Sequence, residues 1–173
     1  SYLLASITGA EDNFYHCTFA NYYSHYGYSR SGEPSVLISN QVIFNDSIFV
    51  GDIKNFKIIN SIIYGSLNNE LKLYNNNIKM FNVKFDYCLI KALEDSINDY
   101  KNLFFNTIFN KDPKFLSTER YKQNYMLDTL SPALDAGNPL IIDSIPILIY
   151  DLNGVSRKKD NKPDLGVYEK SAK

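Results

Sequence analysis

Small and large apolar positions recur along the first two thirds of the chain in one five-residue phrase. It is found at Tyr15-His16-Cys17-Thr18-Phe19, Asn45-Asp46-Ser47-Ile48-Phe49, Ile59-Asn60-Ser61-Ile62-Ile63, Asp86-Tyr87-Cys88-Leu89-Ile90 and Phe105-Asn106-Thr107-Ile108-Phe109. The central residue is always small (Cys17, Ser47, Ser61, Cys88, Thr107), and the residue two places on is always large and apolar (Phe19, Phe49, Ile63, Ile90, Phe109). Strand side chains alternate between faces, so these two positions share a face. A small residue beside a large one, repeated in column, predicts stacked short strands around a narrow interior. The position between them (Thr18, Ile48, Ile62, Leu89, Ile108) is also mostly apolar. It predicts an outward column covered by a loop or a neighbouring domain, with an exposed contact stripe as the alternative.

The phrases are separated by 30, 14, 27 and 19 residues. Such irregular steps exclude a strict solenoid and favour a parallel β-helix, whose corner loops vary in length. The 14-residue step is short for a full coil, so Ser47 or Ser61 is expected on a different face. The rival fold is an antiparallel sandwich, but the Asn-Gly and Asp-Gly hairpin turns typical of one do not occur in this stretch. Asn68-Asn69-Glu70 and Asn75-Asn76-Asn77 read as corners, where Asn tolerates left-handed backbone. Glu94 to Lys101 is polar enough for a loop or one helical turn. The expected organisation is coils over 1–115 and an irregular capping segment of the same domain over 116–173.

Composition narrows the function classes. The chain has 173 residues, 45% hydrophobic and 21% charged, which fits one globular domain. Lys and Arg number 18 against 19 Asp and Glu. That balance argues against nucleic acid as a partner, because phosphate binding needs a basic surplus. No run of 18 apolar residues occurs, so no transmembrane segment is expected. The opening Ser1-Tyr2-Leu3-Leu4-Ala5-Ser6 lacks the features of a signal peptide and leads straight into strand-like sequence. It reads as the interior of a longer protein.

From Asn110 the pattern changes. Asp112-Pro113-Lys114-Phe115 is followed by Ser131-Pro132-Ala133-Leu134-Asp135-Ala136-Gly137, by Asp151-Leu152-Asn153-Gly154 with Arg157, and by Asp164-Leu165-Gly166-Val167-Tyr168-Glu169. This order resembles the C-terminal end of right-handed parallel β-helix proteins of the pectate-lyase-like superfamily, of the secreted and surface type found in Bacteroidetes. The phrases Asn60-Ser61-Ile62-Ile63-Tyr64-Gly65 and Tyr15 to Tyr22 are similar to strand-and-corner phrases of that family. Val167 departs from it, the family more often having Ala there. The resemblance implies an all-β fold, a right-handed parallel β-helix of a few coils with a C-terminal cap, in an extracellular or bacterial cell-surface setting.

The candidate chemistry is sparse. If Cys17 and Cys88 share the central column they stand about 10–14 Å apart, beyond the roughly 7 Å limit for a disulfide. They read as buried thiols. His16 and His25 form no metal-ligand pattern, and neither catalytic residues nor a cofactor are expected. Asp135, Asp151 and Asp164 suit turn capping better than calcium, whose dense loop spacing is missing. The basic run Arg157-Lys158-Lys159-Asp160-Asn161-Lys162 reads as a solvated turn. The most suggestive segment is Tyr22-Tyr23-Ser24-His25-Tyr26-Gly27-Tyr28-Ser29-Arg30. Tyr22, Tyr23, His25, Tyr26, Tyr28 and Arg30 are the candidate ligand-binding residues, because aromatic faces beside polar groups stack on and hydrogen-bond to sugars. The expected function is a non-catalytic portion of a secreted or surface protein that displays loops for polysaccharide or protein contact. The alternatives are a polysaccharide lyase or hydrolase whose site lies largely on preceding coils, and a docking module for a secretion or outer-membrane complex.

Overall fold

A column of bends organises the chain, whose structure is a computed structural model describing residues 2–160 and 162–170. Ser1, Asn161 of the basic run and 171–173 of the expected capping segment lie outside the described residues. In chain order the strands begin with β1 (Leu4–Ile7), β2 (Glu11–Tyr15), β3 (Thr18–Asn21), β4 (Val36–Ser39), β5 (Gln41–Phe44) and β6 (Ser47–Val50). They continue with the long β7 (Ile53–Gly65), β8 (Leu71–Tyr74) and β9 (Phe81–Ile90), then helix α1 (Glu94–Asp99). Last come β10 (Phe104–Phe105), β11 (Ile108–Phe109), β12 (Phe115–Ser117), β13 (Asn124–Leu127) and helix α2 (Pro139–Ser144). Both helices have six residues, and no described helix is long and apolar enough to cross a membrane.

Two sheets are parallel. One runs β1-β4-β8; the other stacks β2 and β3 on β7, β7 on β9, and β9 on β10 and β11. In the second sheet Thr18 pairs with Ile62, Ile62 with Leu89, and Leu89 with Ile108. This register aligns Cys17, Ser61, Cys88 and Thr107 in one column. The residue before each has positive φ: His16 (51°), Asn60 (52°), Tyr87 (51°) and Asn106 (47°). The central side chain then donates to the carbonyl two residues back. Ser61 Oγ reaches Ile59 O (2.8 Å), Thr107 Oγ1 reaches Phe105 O (2.9 Å) and Cys17 Sγ reaches Tyr15 O (3.4 Å), while Cys88 Sγ stands between Asp86 O (3.5 Å) and the nearer Ile58 O (3.3 Å). The central position therefore calls for a residue that is small and also a donor, which Ser, Thr and Cys supply and Ala does not.

The apolar faces of the two parallel sheets meet. Val36, Ile38, Leu71 and Leu73 pack with Phe56, Ile58, Ile63, Phe85 and Ile90, and most of these are fully buried. Ile62 and Leu89, on the outward column, are also fully buried, because Leu127, Ala133 and Leu165 of the C-terminal segment cover them.

The right-handed parallel β-helix expected from the repeat is not what the chain forms. Its strands are divided among several short sheets, none of which closes, and two of those sheets are antiparallel: β5-β6 and β12-β13. The decisive departure lies at Ser47. Asn45 and Asp46 both take positive φ (48° and 59°), the geometry of a tight primed hairpin turn. Ser47–Val50 therefore folds back antiparallel on Gln41–Phe44 and never joins the central column.

Asn60 anchors the C-terminal segment to the long sheet. Its amide Oδ1 accepts from Asn138 N (2.7 Å) and its Nδ2 donates to Asn138 O (3.0 Å), while its own carbonyl accepts from Gly166 N (2.8 Å). The aspartates of the C-terminal motifs cap backbone amides. Asp164 accepts from Asp135 N and Lys170 N, both at 2.8 Å, and Asp151 accepts from Asn153 N, Val155 N and Glu169 N.

Candidate functional site

The loop after β3 is set by local hydrogen bonds. Asn21 Oδ1 accepts from Tyr23 N (3.3 Å), a 3-10 turn covers Tyr23–Tyr26, and Gly27 ends it at a φ of 81° that favours glycine. From there the six candidate residues part company. Arg30 turns inward and is fully buried. Its Nη1 and Nη2 donate to the two carboxylate oxygens of Glu70, each at 2.7 Å, and further to Asn21 O and Glu33 O. It ties the loop down and is not open to a ligand, contrary to the expectation for it.

Tyr22 is buried at the root of the loop. It stacks on Tyr125 at a centroid distance of 6.4 Å and an interplanar angle of 18°, and meets the edge of Phe115 and the ring of His25. Burial pushes its phenol well above the usual value, so the hydroxyl stays protonated at physiological pH. Tyr26 is half-buried: its hydroxyl donates to Thr118 O (3.1 Å) and accepts from Gln123 Nε2 (2.8 Å). Tyr23 and Tyr28 stack on each other at 4.6 Å and remain 45% and 43% exposed. Arg120 lies over the Tyr28 ring, donates to its hydroxyl (3.1 Å), and lies over Tyr121 on its other side.

These contacts form two adjoining clefts. The larger, about 490 Å³, has aromatic walls from Tyr22, Tyr64 and Phe115 and a polar rim that includes His25, Lys91 and Asp112. The second, about 440 Å³, lies between His25, Tyr26 and the segment Thr118 to Arg120. His25 and Thr118 line both, so the two share a wall. Lys91 Nζ donates to Gly65 O (3.1 Å) and stands 5.1 Å over the Tyr64 ring. Burial, then the nearby Asp112 carboxylate, raises the Tyr64 phenol. Asp128, on the rim, is held below the usual carboxylate value by the Leu130 N–H. Lysines and aspartates are mixed around the opening, so no single charge sign dominates it.

No family model, curated protein or solved structure matches the chain. The cleft therefore stands on its own geometry. Its aromatic walls and mixed rim suit a flat, hydroxylated, weakly charged ligand held by stacking and hydrogen bonds.

Several of its residues lay outside the sequence reading. Tyr64 and Lys91 each stand three places after a central residue, Ser61 and Cys88, whose strands pair in register. The repeat thus carried a signal for their contact. Phe115, Arg120 and Tyr125 are brought in by the β12–β13 hairpin, and no local pattern announces that. His16, by contrast, is buried away from the cleft. Because the Asn60 amide is fixed by its two bonds to Asn138, its Nδ2 also donates to His16 Nε2 (3.0 Å). His16 is therefore the neutral Nδ1–H tautomer, and burial, with Arg157 nearby, lowers its pKa to about 3. Among the described residues no group of three His, Cys, Asp or Glu side chains converges as a metal site.

Proposed function

We propose that this chain is a non-catalytic glycan-contact module, and that the double cleft beside Tyr22–Tyr28 is where a polysaccharide lies. One observation carries the reading. Aromatic side chains from three separated parts of the sequence, Tyr22 and Tyr26 of the loop, Tyr64 and Phe115, line two adjoining clefts that share His25 and Thr118. The exposed, stacked pair Tyr23–Tyr28 stands beside the second cleft, whose Arg120 lies over the Tyr28 ring. Exposed, pre-stacked rings give a sugar an apolar platform with little ordering cost. The rim carboxylates, amines and phenols can serve hydroxyl groups. An extracellular or bacterial-surface setting belongs to the same reading and rests on the C-terminal motifs.

A glycan array compares the parent chain with the double variant Tyr23→Ala/Tyr28→Ala and with Tyr64→Ala. The two exposed tyrosines make no core contact, so the double variant keeps the parent's circular dichroism and unfolding midpoint. The reading expects binding by the parent and at least about a tenfold loss in each variant. A parent chain that binds no glycan, or variants that bind as well as it does, overturns the reading.

A further inference from the structure

The β12–β13 hairpin is fixed at one end and loose at the other. At its base Leu127 is buried in the core, Ser131 Oγ donates to Pro113 O (2.6 Å), and the rings of Phe115 and Tyr125 pack on Tyr22. Above the base a β-bulge interrupts the ladder: Phe115 pairs with Leu127 and Ser117 with Asn124, two steps on one strand against three on the other. A bulge leaves a residue unpaired and lets the ribbon bend there. Among the described residues no backbone-to-backbone hydrogen bond joins 117–124 to anything outside the hairpin, and the two strands pair only with each other. A two-stranded ribbon without a third strand is marginal in water. Its tip is held over the clefts by side chains alone. Tyr26 Oη donates to Thr118 O (3.1 Å) on one arm and accepts from Gln123 Nε2 (2.8 Å) on the other, and Arg120 donates to Tyr28 Oη (3.1 Å).

We infer that 117–124 is a lid on the double cleft, hinged at the bulge and latched by Tyr26 and Arg120. Thr118 stands with His25 in the wall that the two clefts share, and Glu119 and Arg120 complete the second cleft. Swinging the tip away withdraws all three hairpin residues and merges the clefts into one trench. A polymer then enters from the side, by an internal stretch, and threads no end. Two of the three latch bonds are exposed and trade readily for water, whereas the base is anchored in the core. The hinge rests on the hairpin alone; that the entering polymer is a polysaccharide rests on the function proposed above.

Pulsed electron paramagnetic resonance reads the swing as a distance between two spin labels. One is on Lys122→Cys at the lid turn and the other on Lys54→Cys in β7, both exposed, with Cys17→Ser and Cys88→Ser removing the native thiols. This labelled chain is compared with the same chain carrying Tyr26→Phe/Arg120→Ala, and with one carrying Tyr100→Phe as the control. The Tyr100 hydroxyl serves Asn75 N, away from the hairpin. Expected are one main distance in the labelled chain and the control, and in the unlatched chain a second distance carried by at least about a tenth of the molecules. Circular dichroism checks the fold; should the double variant fail to fold, Tyr26→Phe alone must show the second distance. Identical distances with and without the latch overturn the inference, as does a second distance in Tyr100→Phe. A glycan that binds the parent should restore the single distance to the unlatched chain, and one that leaves the open share unchanged also overturns the lid. If no glycan binds, the proposed function falls, while the two distances still decide for or against the hinge.

Discussion

Arg30 and Glu70 show what a single buried pair does for the loop that carries the candidate site. Both side chains are fully removed from solvent. Glu70 also accepts from Ser35 N (2.9 Å), Ser35 Oγ (2.6 Å) and Leu67 N (2.8 Å), so its carboxylate gathers the ends of three segments. Gly65 leaves room for it, since a Cβ there would collide with Asn21 O and the Glu70 carboxylate. Removing only the cation strands a charge in the interior, which is costlier than never having had the pair. Arg30→Met should therefore lose about 3–5 kcal/mol in urea unfolding. Arg30→Met/Glu70→Gln should lose less, because no net charge is stranded, although the one amide oxygen of Gln can replace only Oε2, which serves Ser35, or Oε1, which serves Leu67 N. A double variant at least as unstable as Arg30→Met would show that the stranded charge is not the cause. Arginine in a tyrosine-rich loop looks the same in sequence whether it faces a ligand or a buried glutamate forty residues away, and so Arg30 was misread.

At the scale of the strand, the bend column is what the sequence displayed most clearly. Four phrases with positive φ before a small donor stack in register, and the side chain at each centre closes its own bend. Ser61 does this twice over, accepting from Cys17 N (2.9 Å) and donating to Ile59 O (2.8 Å). Ser61→Ala leaves Cys17 N without its acceptor at a position of zero exposure, while Ile59 O keeps the His16 N–H (3.0 Å), and should cost about 1–3 kcal/mol, measured by urea unfolding. Ser61→Cys should recover part of that loss, because the thiol can donate to Ile59 O as Cys17 donates to Tyr15 O but accepts only weakly from Cys17 N. No measurable loss in Ser61→Ala would make the hydroxyl irrelevant to the bend, and equal losses in the two variants would mean that a thiol does not replace it. The phrase at Asn45–Phe49 has the same pattern, but there two consecutive left-handed residues, Asn45 and Asp46, reverse the chain. Asn45-Asp46 holds no glycine, so this turn lacks the Asn-Gly or Asp-Gly signature that marks a primed hairpin turn in sequence. Periodicity reports which residues share a face, whereas the number of left-handed residues at the corner decides whether the next strand advances or returns. The same limit applies to the cleft. The tyrosine loop and the in-register pair Tyr64–Lys91 could be read from the repeat, while Phe115, Arg120 and Tyr125 arrive through a non-local hairpin.

For the molecule as a whole, the junction between the long sheet and the C-terminal segment is where stability responds to pH. His16 sits there neutral, its pKa lowered to about 3 chiefly by burial. Glu169, beside Arg157 at 3.2 Å, is pushed up to about 7, again chiefly by burial, and Asp164 is raised for the same reason. The two directions oppose each other. Between pH 3 and 6.5 the unfolded chain binds a proton at His16 that the folded chain does not, so this residue makes stability rise with pH. Between pH 4.5 and 7 the folded chain holds a proton at Glu169 that the unfolded chain has released. That residue makes stability fall with pH, its contribution being complete below 4.5 and lost as pH passes 7. Across the shared window of pH 4.5 to 6.5 the two slopes cancel, each being about 1.4 kcal/mol per pH unit for one proton. Substituting either residue should expose the other. His16→Gln keeps an acceptor for Asn60 Nδ2 and should lose stability relative to the parent by about 1.4 kcal/mol per pH unit as pH rises through that window. Glu169→Gln should gain by the same amount. Urea midpoints measured at half-unit intervals of pH give both differences directly. Parallel profiles for parent and His16→Gln would mean that His16 titrates alike in the folded and unfolded chain. That would contradict its burial beneath the segment that Asn60 ties down.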